Sequence, residues 1–210
     1  MKKTIIWGAE GGIGEALLKA FQAEGWWAAA AARNLTSRTE EADRRAEADF
    51  TRPDQVRRAV EDLVGDQELD VFVYAAGDIA SQNIGQADPE RWEAVLSNNL
   101  TGVFHTLQAS LPFLVEDAHI FILGAVSERL TLPGLSAYAA AKAGVEALAV
   151  SLAKEERRKK ITMVRPGAVA TELWEKVPFK QPEHSMPPEK LAQKVLEAYR
   201  EGHKGQLDLV

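Results

Sequence analysis

The sequence predicts an α/β fold of the doubly wound type, a mostly parallel seven-stranded sheet with helices on both faces. Two observations carry this reading. Short apolar runs of strand length alternate with longer stretches of helical periodicity along the 210 residues. Strands alternating with helices of this length imply right-handed crossovers and a parallel sheet. The second run, Trp26 to Ala32, follows a helix-ending Gly25 and is apolar throughout, as suits a strand buried on both faces.

Thr4, Ile5, Ile6 and Trp7 form the first strand. Gly8, Gly11, Gly12 and Gly14 crowd the turn after it, and Ile13, Leu17, Leu18 and Phe21 recur at helical spacing. Glycines there let the backbone turn sharply and approach a pyrophosphate, while the N–H groups and positive dipole end of the helix face the anion. The stretch reads as a dinucleotide-phosphate cradle; the alternative is an ordinary glycine-rich turn. A dinucleotide fold places an acid about 20 residues beyond the loop, to bind the ribose hydroxyls of NAD. Here Ala32 is followed by Arg33, whose guanidinium suits a 2′-phosphate, so NADP is favoured over NAD, with NAD possible. Glu10 would repel that phosphate if it points inward, and Arg33 is otherwise a solvated loop residue.

Residues 33–45 are polar and read as a loop or a poor helix. Ala46 to Phe50 is the third strand, with Asp49 placed to reach an adenine amino group or simply to form a turn. Pro53 opens a helix to Val64, and Asp70 to Ala76 is the fourth strand, closed by Gly77. Asp88 and Pro89 start a long helix, 88–114, with two poor helix formers, Asn98 and Asn99, in its middle. His119 to Leu123 is the fifth strand. A helix over 136–159 follows, lined with small residues on one side, and then the sixth strand from Ile161 to Val164. Residues 172–188, with four prolines and the apolar tips Trp174, Val177 and Phe179, read as a short substrate lid, the alternative being an inert surface loop. A helix from Glu189 to Arg200 and a strand from Gln206 to Val210 complete one dinucleotide-binding domain, 1–210.

Composition bounds the partners. A net charge of −6 argues against nucleic acid, and the basic cluster 157–160 falls at a helix end, where cations offset the dipole. Without cysteine there is no disulfide framework or thiolate site. No apolar run reaches transmembrane length and no signal-peptide pattern opens the chain, so no membrane partner is expected and the cytoplasm is the default compartment. His105, His119, His184 and His203 show no ligand spacing, so no metal is expected.

Tyr138 and Lys142 lie four apart on one helix face. A phenol titrates near pH ~10, and a neighbouring ammonium favours its anion, so the pair can serve as general acid and base. With Gly8-x-x-x-Gly12-x-Gly14, Asp49, Ala76-Gly77, Asn99-Leu100-Thr101-Gly102, Tyr138-x-x-x-Lys142 and Pro166-Gly167-x-x-x-Thr171 in this order, the chain resembles the short-chain dehydrogenase/reductase family over nearly its whole length.

The resemblance implies that Tyr138 transfers the proton, that Lys142 lowers its pKa and holds the nicotinamide ribose, and that Asn99 holds a water linking Lys142 to solvent. Hydride would pass between the nicotinamide and a small carbonyl or alcohol substrate. Val169 and Thr171 would hold the nicotinamide amide and the phosphates. Cradle and resemblance together make the coenzyme site Gly8, Glu10, Gly12, Ile13, Gly14, Arg33, Asp49, Phe50, Ala76, Gly77, Tyr138, Lys142, Pro166, Gly167, Val169 and Thr171. The resemblance also implies a homodimer or homotetramer built through the helices 88–114 and 136–159.

There are departures. The family's catalytic serine falls at Ala125, with Ser127 two residues out of register, and losing a comparable donor costs roughly 2.7–4 kcal/mol in other enzymes. Trp7 replaces a threonine, and Tyr74-Ala75 an asparagine pair. Trp26-Trp27, Gly65-Asp66-Gln67, Gly124-Ala125 and a weak second helix are similar to dihydropteridine reductases, which makes quinonoid dihydropterin an alternative substrate. A nucleotide-binding sensor without turnover is the alternative that Ala125 motivates.

Overall fold

The structure, a computed structural model, describes residues 1–126 and 130–210. Among them are the strands β1 (Lys3–Trp7), β2 (Trp27–Ala32), β3 (Arg44–Glu47), β4 (Leu69–Tyr74), β5 (Leu114–Leu123), β6 (Lys160–Pro166) and β7 (Gly205–Leu209). The helices are α1 (Gly12–Ala23), α2 (Pro53–Val64), α3 (Pro89–Leu96), α4 (Gly102–Ser110), α5 (Ser136–Glu155) and α6 (Pro188–Glu201). Every neighbouring strand pair is parallel, in the order β3-β2-β1-β4-β5-β6-β7, so the expected doubly wound sheet is present and the order reverses between β1 and β4. Among the described residues no helix is long and apolar enough to cross a membrane.

Alternation along the strands divides the core. Ile5 and Trp7 of β1 join Val56 and Leu63 of α2, Val103 of α4 and Val145 of α5 on one face. Ile6 joins Leu17, Leu18 and Phe21 of α1 and Leu191 and Val195 of α6 on the other. The alanine-rich β2 keeps its strand geometry because it is buried along its whole length between helices. Its small side chains also make room. Trp7 lies level with Ala31 on one side and Tyr74 on the other, and Phe50 packs edge-on against Trp7 at 5.2 Å and Tyr74 at 6.2 Å.

Several element boundaries differ from expectation. The third strand is Arg44–Glu47 instead of 46–50, because it is an edge strand held by its ladder to Ala29–Ala32 and needs no apolar face. The helix expected over 88–114 is broken: α3 gives way to a π-helical turn, Ser97–Thr101, before α4. α4 ends at Ser110 and passes into a 3-10 turn, Leu111–Phe113, where Pro112 has no N–H to continue the ladder, and β5 begins at Leu114, five positions earlier than the apolar run 119–123 suggests. The next helix stops at Glu155, short of 159, and β6 takes up Lys160.

Ala31→Leu should overpack the Trp7–Phe50–Tyr74 cluster and lower stability by about 1–3 kcal/mol. Denaturant unfolding of the two proteins reads this directly, and an unchanged midpoint would show that the cluster has slack.

Candidate active site

The site lies where the sheet order reverses, outside the C-terminal ends of β1 and β4, as ligand sites in open α/β sheets do. Gly8 leaves β1 at φ +87°, and a Cβ there would collide with the backbone of Ala76 in the loop after β4. Ala75 N–H donates to Trp7 C=O at 2.8 Å, closing the two loops together. A cavity of about 640 Å³ opens beside this contact. It is bordered by Gly12, Ile13, Ala76, Gly77, Tyr138, Lys142, Pro166, Gly167, Val169 and Thr171, which brings ten of the expected site residues to one space. Gly11, Gly12 and Ile13 present the N-terminus of α1 to it, a site ready for an anion.

Tyr138 and Lys142 come from α5, whose alanines let it pack close, with Ala137 and Ala141 buried. Lys142 is only 4% exposed and its Nζ donates to Leu123 C=O at 3.0 Å. That Nζ stands 5.5 Å from the centre of the Tyr138 ring. The sequence expects this ammonium to lower the phenol pKa, and burial acts on each group in the opposite sense. Burial pushes the Tyr138 phenol up to about 12 and pushes the Lys142 ammonium down to about 8.

Asn99 is fully buried in the π turn. The wider turn breaks the regular ladder, and Asn99 Nδ2 donates to the C=O groups of Val95 (2.8 Å) and Asp78 (2.6 Å). Its Oδ1 stays unpartnered, against Gly77. Tyr74, which the sequence showed only as an unusual residue, holds the same turn: its hydroxyl donates to Asn98 C=O at 2.6 Å. Gly102 makes this contact feasible, since a Cβ there would stand 2.6 Å from that hydroxyl.

The expected adenosine end separates into different roles. Glu10 accepts from Thr36 N–H and the hydroxyls of Thr36 and Thr39; these and Arg38 outweigh its burial and hold its carboxyl below the usual range. Arg33 is exposed and donates to Asn98 Oδ1. Asp49 spends Oδ1 on the N–H (3.0 Å) and hydroxyl (2.8 Å) of Thr51, the turn-forming role. The Phe50 side chain is 7% exposed and belongs to the core, not to the cavity. Gly8 and Gly14 shape the loop from behind. Arg38, which no motif marked, donates to Glu10 C=O and pairs with the carboxylates of Glu172 and Glu15 (3.7 Å).

A family model for short chain dehydrogenase matches residues 2–182. The chain belongs to the short-chain dehydrogenase family. An uncharacterised oxidoreductase of Staphylococcus epidermidis is 32% identical over 191 residues, 85% of this chain and 82% of the relative. A 3-oxoacyl-acyl-carrier-protein reductase of Thermotoga maritima is 32% identical over 219 residues, 93% and 89% of the two chains. An alcohol dehydrogenase of Thermococcus sibiricus, solved with 5-hydroxy-NADP, superposes with a TM-score of 0.88 at 24% identity, over 100% of this chain and 96% of that one. The protein is thus a short-chain oxidoreductase of a family that uses NAD(P).

Within that family its departures are concrete. Ala125 lines the cavity where the hydroxyl-bearing residue is expected, and Ser127, the candidate replacement, lies outside the described residues. The cavity fits a dinucleotide: a glycine loop without side chains at one end, an anion-ready helix terminus, and an unpartnered Asn99 Oδ1 behind the pair Tyr138 and Lys142.

The buried ammonium has a stability consequence. Its folded-state pKa of about 8 lies below the ordinary 10.5, so the unfolded chain binds the proton more tightly and the charge opposes folding below pH 8. Lys142→Met should therefore raise the melting temperature at pH 7. The advantage should shrink as pH rises through the window from about 8 to 10.5. Melting curves across pH check it; a variant less stable at pH 7 would show that the bond to Leu123 outweighs desolvation.

Proposed function

We propose that this oxidoreductase reduces a carbonyl compound with NADPH, Tyr138 donating the proton. The observation that carries the reading is one cavity bordered by the glycine loop at one end and by Tyr138 and Lys142 at the other. The N–H groups at the start of α1 would hold the pyrophosphate, Val169 and Thr171 the nicotinamide half, and Tyr138 and Lys142 its ribose. When bound there, the coenzyme supplies the hydride.

The protein's own contribution is the proton and the field around it. A phenol pushed up to about 12 stays protonated at neutral pH, which suits giving a proton to a carbonyl oxygen better than taking one from an alcohol. The Lys142 ammonium steadies the phenolate that the transfer leaves behind, and Asn99 Oδ1, buried beside Gly77, offers an acceptor for a water that returns the proton. With a methyl at Ala125, Tyr138 does alone what a tyrosine and a serine share elsewhere. Residues 172–188 act as the lid, supported by Arg38, which ties Glu172 to the glycine loop. The relatives named above lend the dihydropterin alternative no support, and the carbonyl reading is kept.

The preference for NADPH rests on Arg33, exposed at the end of β2, and on Glu10, whose carboxylate is engaged by Thr36 and Thr39. Arg33→Asp should move the preference toward NADH by roughly tenfold to a hundredfold, the worth of one charge-assisted hydrogen bond to the 2′-phosphate. Initial rates with both coenzymes measure it, and an unchanged ratio removes Arg33 from the 2′-phosphate. Tyr138→Phe should abolish turnover while NADPH affinity by calorimetry stays within a few-fold of wild type; surviving activity would take the proton transfer away from this residue.

A further inference from the structure

The substrate side of the cavity is recognisable from its packing. Tyr138 belongs to a small apolar cluster with Ile79, Leu135 and, partly buried, Leu130, Leu173 and Phe179. These come from three different segments: the loop after β4, the approach to α5, and the stretch that carries Leu173 and Phe179. Convergence from three segments is what a built pocket wall requires.

Several polar side chains around it are already engaged. Lys176 Nζ is held by Asp78 Oδ1 at 2.8 Å, and Asp78 Oδ2 takes Arg91 at 3.1 Å. Glu172 is paired with Arg38. Trp174 Nε1–H donates to Val169 C=O at 2.8 Å, and Lys142 to Leu123 C=O. Ala125 contributes a methyl. Among the described residues of this apolar cluster that border the cavity, Tyr138 carries the one hydroxyl, while Lys142 and Thr171 also line the cavity.

We propose that the site takes a carbonyl compound whose C=O is its one polar group and whose flank is hydrocarbon, an alkyl chain or an aromatic ring, and that it rejects polyhydroxylated carbonyls. The proposal rests on the reading of Tyr138 as proton donor. The Tyr138 hydroxyl meets the carbonyl oxygen, and the hydrocarbon flank lies against Ile79, Leu130, Leu135, Leu173 and Phe179. Each added methylene strengthens transition-state binding about fourfold when fully buried. Each substrate hydroxyl forced against that wall without a partner weakens it by about tenfold or more.

The test is a homologous series. The protein, saturated with NADPH, is assayed with 2-butanone through 2-octanone, acetophenone and an aldohexose, and binding of the matching 2-alkanols is followed by calorimetry in the presence of NADP. The proposal expects kcat/KM to climb by up to fourfold per carbon, acetophenone to fall with the longer ketones, the aldohexose to be inert, and binding of the longer alcohols to carry a negative heat-capacity change. Phe179→Ser should flatten the slope in both measurements. A flat series, or turnover of the aldohexose at a rate comparable with 2-octanone, overturns the apolar assignment. Failure to reduce any carbonyl while alcohol affinity still rises with chain length overturns the proton-donor reading and leaves the pocket assignment standing, so the two failures are separable.

Discussion

Everything at the site depends on two loops being allowed to touch. Gly8 sits against the backbone of Ala76, and the N–H of Ala75 reaches the carbonyl of Trp7. That contact lies where the strand order turns from β1 to β4, so α1 is sent to one face of the sheet and α2, α4 and α5 to the other. The crevice between the two sets of connections is left open by topology, not carved by side chains. A side chain at Gly8 would push the loops apart, and the cradle, the Asn99 turn and Tyr138 would lose their common frame.

A second constraint opposes the first. The fold buries an ammonium beside a phenol, and burial alone pushes the two pKa values in opposite directions, Tyr138 up and Lys142 down. Both groups are thereby driven toward their neutral forms, which is how a low-dielectric cavity stores the tendency to separate charge only when a proton moves. α5 can hold them there because its small residues bring its backbone against its neighbours; Gly144, for instance, lies against Leu100.

What was legible in the sequence was what is local. The β1–loop–α1 unit declares itself in a short run of consecutive residues, and the alanine-rich β2 follows from being covered on both faces. Tyr138 and Lys142 share a helix face by spacing alone. The break between α3 and α4 was not legible, because Trp92, Leu96, Leu100, Val103 and Leu107 recur at the spacing of one unbroken helix; only Asn98 and Asn99 hinted at it. The partners of Arg33 and Glu10 were hidden for another reason. Arg33 meets Asn98 from 65 positions away and Glu10 meets Thr36 from 26, and single-sequence periodicity carries no information on such pairings. The apolar wall was half visible: Phe179 stood out in a proline-rich stretch, whereas Leu130 and Leu135 sit between elements and have no periodicity to mark them.

The π turn gives the Asn99 segment a length that packing alone would not choose. A π turn is an α-helix carrying one surplus residue, and that residue rotates everything before it by roughly 100° relative to everything after it. In Ser97–Thr101 the surplus turns the Asn99 amide inward while α4 still presents Val103 and Leu107 to the core. Removal of one residue from this stretch would let a regular helix form, with a better backbone ladder, and would swing α3 with Trp92 and Val95 out of register with their neighbours. The chain therefore keeps a locally inferior helix as the spacer that puts an amide, two carbonyls and a buried tyrosine hydroxyl in phase.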